Sequence, residues 1–65
     1  MTDLIIRKTG PAGYITLNRP QALNALTYDM CLEIEGTLDI WRNDNDVNLI
    51  LIDGAGERAF CSGGD

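Results

Sequence analysis

One apolar run, Leu49-Ile50-Leu51-Ile52, decides the fold class of this 65-residue chain. The run is apolar on both alternations, which is typical of strands in a parallel sheet that helices cover on both faces. A segment with helical periodicity precedes it and is expected to run from about Tyr28 to Arg42. The apolar residues that share one face of that helix are Met30, Ile34, Leu38 and Trp41.

Two shorter strands are predicted before the helix. Residues 3–8 have an apolar centre, and residues 14–17 alternate β-branched and aromatic side chains. Between them lie five turn-forming residues, 9–13, so we expect a hairpin with a five-residue loop. Thr27 is expected to cap the helix, because its hydroxyl can accept a hydrogen bond from an unpaired amide of the first turn. The predicted fold class is therefore α/β, with the element order ββαβ.

The predicted sheet needs more chain than these residues supply. A single helix can cover one face of the strand at 49–52, and the other face needs further chain or another subunit. We therefore expect residues 1–65 to be the first part of a larger, single domain. A non-catalytic truncated piece is the alternative of another class, and an intact mass near 7.1 kDa would support it.

Composition excludes several classes of function. Ten acidic residues against five basic ones give a net charge of −5, so nucleic acid is not an expected partner. The chain has no histidine and only two cysteines, so neither a Cys/His zinc site nor a Ser-His-Asp triad can form. We expect Cys31 and Cys61 to be free thiols in a reducing cytoplasm, with one disulfide as the alternative.

Membrane partners are also not expected. No apolar stretch approaches the roughly 20 residues that cross a bilayer. The N-terminus lacks the charged start and long apolar core of a signal peptide. These features favour a cytoplasmic protein.

Two glycine patterns follow the last predicted strand. Gly54-x-Gly56-x-x-Ala59 matches a dinucleotide-binding fingerprint, but no helix is predicted to begin inside it, so a tight turn is the preferred interpretation. The second pattern is Phe60 to Asp65, in which two glycines precede a residue that can open a helix. Free N–H groups in such a loop suit a thioester oxyanion, and an ordinary loop is the alternative.

Two long segments resemble the crotonase superfamily, also called the enoyl-CoA hydratase/isomerase family. Residues 15–26, ITLNRPQALNAL, resemble the family segment ITLNRPxALNAL, and residues 54–65, GAGERAFCSGGD, resemble its segment GxGxxAFxxGxD. The resemblance covers nearly the whole chain. It implies the ClpP/crotonase spiral of ββα turns, assembly into trimers or hexamers, and acyl-CoA thioesters as substrates. It implies no cofactor beyond coenzyme A as part of the substrate.

The resemblance also implies roles for individual residues. The backbone N–H of Gly64 would be one of two oxyanion-hole donors to the thioester oxygen, at a position where family members often carry alanine. The backbone of Ser62 would meet the adenine end of CoA, and Asp65 would lie beside the substrate. Ala22 and Asn24 belong to the segment that runs along CoA.

The catalytic carboxylates are not expected among these residues. In the family, the second oxyanion donor and the acid/base groups come from later segments. Glu33, Glu35 and Glu57 are instead expected to be solvated surface charges. We therefore expect the 65-residue segment alone to be inactive.

Two features favour one branch of the family. The helix ends in Trp41-Arg42 with Asp44 two positions later, and Cys61 and Gly64 occupy the last motif. These residues are more similar to the 3-hydroxyisobutyryl-CoA hydrolase branch than to a plain hydratase. Hydrolysis of a short 3-hydroxyacyl-CoA is therefore expected, with enoyl-CoA hydratase or isomerase activity as the alternative.

Overall fold

The computed structural model describes residues 2–64. Its elements are β1 (Leu4–Thr9), β2 (Ala12–Leu17), a 3₁₀ turn (Pro20–Ala22), α1 (Tyr28–Arg42) and β3 (Leu49–Gly54). β2 is the central strand, antiparallel to β1 and parallel to β3. The α/β class and the order ββαβ are confirmed, and the apolar run at 49–52 does form a parallel strand.

The hairpin between β1 and β2 is tighter than predicted. Thr9 pairs with Ala12, so the loop consists of Gly10 and Pro11 alone. Gly10 has a φ of 57°, which suits the first position of a two-residue hairpin loop. The predicted five-residue loop was wrong, because residues 9, 12 and 13 pair in the ladder despite their turn-forming character.

Helix α1 begins and ends at the predicted residues. The hydroxyl of Thr27 accepts a hydrogen bond from the backbone N–H of Met30 at 3.1 Å, which confirms the predicted N-cap. Asp29 lies in the first turn and Arg42 in the last, where each charge is favourable in the field of the helix dipole. The side chains of Glu33 and Glu35 are exposed, as expected.

The core lies between α1 and the first two strands. Its buried apolar residues are Leu4, Ile15, Leu17, Met30 and Trp41. Met30 and Trp41 are the two ends of the predicted apolar face of α1. Between them Ile34 is only partly buried, and Leu38 is exposed.

Strand β3 stays open on both faces in this structure. The four side chains of the run at 49–52 remain 38–50% exposed. We expected α1 to cover one face of this strand, and that expectation was wrong. The helix packs on β1 and β2 instead, which leaves an open apolar groove between its C-terminal end and the start of β3. Trp41, Val47 and Ile50 line this groove.

Three further observations concern membranes, thiols and metals. Within residues 2–64 no helix is long and apolar enough to cross a membrane. Cys31 is exposed, Cys61 is partly buried, and both are free thiols. In the same part of the chain, no three His, Cys, Asp or Glu side chains lie close enough together to hold a metal ion.

Candidate functional site

Two irregular segments meet at one edge of the sheet. Leu17, the last residue of β2, pairs with Gly54, the last residue of β3. Because the two strands are parallel, the chain leaves both of them at the same edge. Residues 18–26 follow β2 and residues 55–64 follow β3, and each segment carries most of one predicted motif. Ligands of open α/β sheets commonly bind at this edge.

Backbone hydrogen bonds join the two segments. The N–H of Ser62 donates to the carbonyl of Leu23 at 2.9 Å, and the N–H of Leu26 donates to the carbonyl of Gly63 at 2.9 Å. Leu26 and Gly64 also form an isolated parallel bridge. The glycine-rich loop is thus held against residues 23–26 by two hydrogen bonds and one isolated bridge.

Asn24 lies at the centre of this junction and is fully buried. Its Nδ2 donates to the carbonyls of Ala55 and Ala59, each at 2.9 Å. Its Oδ1 accepts a hydrogen bond from the backbone N–H of Arg19 at 2.8 Å. The side-chain amide therefore uses both of its donor hydrogens and its acceptor oxygen inside the protein.

The backbone around Asn24 follows a tight turn. Leu23 has a φ of 53° and Asn24 a φ of 57°, the left-handed region that asparagine tolerates better than most residues. The N–H of Asn24 closes the turn onto the carbonyl of Arg19 at 2.8 Å. The guanidinium of Arg19 donates to the carbonyl of Ala25 at 2.6 Å. Pro20 begins the turn, where its fixed φ is favourable.

Gly54 makes the close contact between the two segments possible. A Cβ built on this residue would lie 2.5 Å from the carbonyl oxygen of Phe60 and 2.8 Å from Nδ2 of Asn24. Only glycine leaves room for these groups. Gly56 follows with a φ of 83°, and no helix begins between residues 55 and 64. The pattern from Gly54 to Ala59 therefore forms a turn, as preferred, rather than a dinucleotide-binding helix start.

Gly64 presents its backbone at the surface. Gly64 is an exposed residue, and within residues 2–64 no group accepts a hydrogen bond from its N–H. The preceding Gly63 has a φ of 108°, which requires glycine, and its N–H points to the sulfur of Cys61 at 3.4 Å. A Cβ on Gly64 would meet nothing within 4 Å, so alanine also fits at this position.

The predicted site residues occupy different environments. Ala22 is partly buried at the end of the 3₁₀ turn, Asn24 is buried, and Ser62 and Gly64 are exposed. Asp65 lies outside the described residues. Glu57 is exposed, as expected. The structure thus brings together the segments that carry these residues, and their contacts with substrate stay predictions.

Sequence reasoning missed the internal role of Asn24 and the close approach at Gly54. The partners of Asn24 lie 31 and 35 residues away along the chain, so no local pattern reveals them. The available signal was a polar asparagine among apolar neighbours in residues 22–26, since a buried amide needs hydrogen-bond partners.

Comparison with known proteins identifies the family of this chain. The family model described as enoyl-CoA hydratase/isomerase matches residues 12–65. The chain belongs to the enoyl-CoA hydratase/isomerase family, and the resemblance found in the sequence is confirmed.

Individual relatives are similar over almost the whole chain. The mitochondrial 3-hydroxyisobutyryl-CoA hydrolase of Danio rerio is 50% identical over 64 residues, which cover 98% of this chain and 17% of that protein. An enoyl-CoA hydratase structure from Rhodobacter sphaeroides 2.4.1 matches with a TM-score of 0.94 and 55% identity, over 98% of this chain and 19% of that one. A carnitinyl-CoA dehydratase structure from Mycobacterium thermoresistibile matches with a TM-score of 0.93 and 44% identity, over 97% of this chain and 18% of that one.

These matches confirm the fold and limit the functional conclusion. The three-stranded sheet and its helix match part of the crotonase fold of the solved hydratase and dehydratase. The chain spans less than a fifth of the length of each relative described.

Proposed function

We propose that the complete protein processes acyl-CoA thioesters and that the N–H of Gly64 donates a hydrogen bond to the thioester oxygen. One observation carries this proposal: Gly64 is an exposed residue whose N–H donates no hydrogen bond within residues 2–64, on a loop held by Leu23 and Leu26. A donor that is fixed before the reaction stabilises developing negative charge without reorganisation.

The reaction that we propose is hydrolysis of a short 3-hydroxyacyl-CoA. The identity of 50% to a protein named as 3-hydroxyisobutyryl-CoA hydrolase supports it. Hydrolysis passes through a tetrahedral intermediate in which the carbonyl oxygen carries negative charge. The N–H of Gly64 would bind that oxygen more strongly in the intermediate than in the ground state.

Enoyl-CoA hydration is the second candidate. The identity of 55% to a structure named as an enoyl-CoA hydratase favours it. Addition of water to an enoyl thioester creates an enolate, whose oxygen would occupy the same place as the tetrahedral oxyanion. The Gly64 donor therefore serves either reaction, and the choice between them depends on carboxylates that we expect in the rest of the complete protein.

The segments that carry the remaining site residues bind substrate in this proposal. The segment with Ala22 and Asn24 runs along CoA, the backbone of Ser62 meets its adenine end, and Asp65 lies beside the substrate. No cofactor other than the CoA of the substrate takes part. Residues 1–65 form one part of a single acyl-CoA domain that assembles as a trimer or hexamer in the cytoplasm, although the Danio rerio relative is named as mitochondrial.

The test is a product analysis with the complete protein. Incubation with 3-hydroxyisobutyryl-CoA should release free CoA thiol, detected with a thiol reagent, while crotonyl-CoA should not be hydrated. Hydration of crotonyl-CoA without release of thiol would contradict hydrolysis and support the second candidate. Absence of both reactions would contradict the proposed function. Residues 1–65 prepared alone should turn over neither substrate.

A further inference from the structure

We propose that Asn24 is a positioning residue of this site and that its side chain sets the location of the Gly64 N–H from inside the protein. The inference rests on the proposed function of Gly64. Asn24 is completely buried, so it acts through the loop that it holds and not by touching the substrate.

The contacts between the two segments converge on Asn24. Within residues 2–64, both side-chain hydrogen bonds that join the segments are donated by its Nδ2, to Ala55 and Ala59. The backbone hydrogen bonds between them involve Leu23 on one side of Asn24 and Leu26 on the other. Residues 23–26 therefore hold both ends of the loop that leads to the donor.

The chemistry at this point requires an amide. Two carbonyl oxygens face Nδ2, and a primary amide supplies two N–H groups to satisfy them. The third contact, from the N–H of Arg19, needs an acceptor, which is Oδ1. A carboxylate at this position would keep the acceptor and place negative charge against the carbonyls of Ala55 and Ala59.

Two substitutions separate this role from the backbone conformation. Aspartate and glycine both tolerate a φ of 57°, so Asn24→Asp and Asn24→Gly change the side-chain contacts without adding backbone strain. Asn24→Asp keeps the shape of the side chain and removes the donors. Asn45→Asp, at an exposed residue of the loop after α1, is the control for the added charge.

The first readout is steady-state kinetics of the complete protein with the thioester substrate. We expect Asn24→Asp to lower kcat by about 10- to 100-fold with little change in KM, less than the full loss of an oxyanion donor. Asn45→Asp should keep the wild-type kcat. At low pH the introduced carboxyl is protonated and can donate one hydrogen bond, which the carboxylate cannot do. The kcat of Asn24→Asp relative to wild type should therefore recover as the pH falls.

The second readout is amide hydrogen exchange, which does not depend on turnover. In Asn24→Gly the amides of Leu26 and Ser62 should exchange faster than in wild type, while the amide of Ile15 in the core of the sheet keeps its protection. A structural role alone would speed the exchange of all three amides together.

The outcomes distinguish this inference from the proposed function. Wild-type kcat in both Asn24 variants, or unchanged exchange at Leu26 and Ser62, would overturn the positioning role. A wild-type protein that turns over no thioester would instead contradict the function of Gly64, and with it the catalytic meaning of any exchange result.

Discussion

The indole ring of Trp41 lies directly against the α-carbon of Gly13. A Cβ built on Gly13 would stand 2.6 Å from Cζ3 of the indole and 2.7 Å from Cε3, closer than real side-chain carbons approach. The contact joins the end of α1 to β2 and leaves Trp41 only 8% exposed. It places the C-terminal end of the helix over the central strand.

Replacing Gly13 by alanine should destabilise the protein. The added methyl group must displace the indole or the strand, which costs about 1–3 kcal/mol for overpacking in a filled core. Gly36→Ala is the control, because a Cβ there meets nothing within 4 Å. In the interior of α1 that change should stabilise by about 0.5–1 kcal/mol. Denaturant unfolding measures both, and equal midpoints for the two variants would refute the packing argument.

The N-cap of α1 gives a second prediction. Thr27→Ala removes the acceptor for the N–H of Met30 and should cost about 1 kcal/mol of unfolding free energy. Thr37→Ala is matched in chemistry, since the hydroxyl of Thr37 donates to the carbonyl of Glu33 within the helix. Because that carbonyl is also available to the helix ladder, Thr37→Ala should be neutral or slightly stabilising. A larger loss for Thr37→Ala than for Thr27→Ala in thermal unfolding would argue against the cap.

Part of the fold can be predicted from local signals in the sequence. The bounds of α1 depend on the spacing of apolar residues and on Thr27, and both signals are local, so the prediction was correct. The parallel pairing of β3 follows from its unbroken apolar run. The two-residue hairpin depends on the register in which Thr9 pairs with Ala12. The place of α1 on β2 depends on the Trp41–Gly13 contact, which joins residues far apart in the chain.

The candidate site was predicted from the family resemblance rather than from residue chemistry. The resemblance to a known family indicated Gly64 and the neighbouring residues, whereas residue chemistry alone left an ordinary loop as an alternative. The hydrogen bonds of Asn24 are long-range and were not predicted. The sequence contained the two motifs, and the parallel pairing of β2 with β3 brings them to one edge of the sheet.

The ion pair between Lys8 and Asp44 makes stability depend on pH. Lys8 Nζ lies 2.9 Å from Asp44 Oδ2, which joins β1 to the loop after α1. The hydrogen bond from Lys8, and then the one from the backbone N–H of Asp46, lower the pKa of Asp44. The same Lys8–Asp44 hydrogen bond raises the pKa of Lys8. Folding therefore favours both charged forms.

The sign of the effect follows from these directions. The contribution of Asp44 is present above the unfolded pKa of a carboxyl group, roughly 3.9, and is lost as the pH falls through its lower folded value. The contribution of Lys8 is present below roughly 10.4 and is lost as the pH rises through its higher folded value. Asp44→Asn should thus be less stable than wild type at neutral pH, with a difference that shrinks in acid.

Unfolding measured across pH checks this prediction, with Glu35→Gln as the control for removing one exposed negative charge. Added salt should also reduce the difference between Asp44→Asn and wild type, since the pair is exposed to solvent. If the difference in stability between Asp44→Asn and wild type grew as the pH fell, the ion pair would not act in the predicted direction.

The decisive experiment on the oxyanion donor is the turnover of the complete protein with residue 64 changed. Gly64→Pro removes the N–H, and an amide-to-ester replacement at the same position removes it without a proline ring. Gly64→Ala keeps the N–H and fits the open space around Gly64. We predict that the proline and ester variants lose about 10²- to 10³-fold in kcat, while the alanine variant keeps the wild-type value. Turnover by the ester variant at the rate of Gly64→Ala would show that the N–H of Gly64 is not an oxyanion donor.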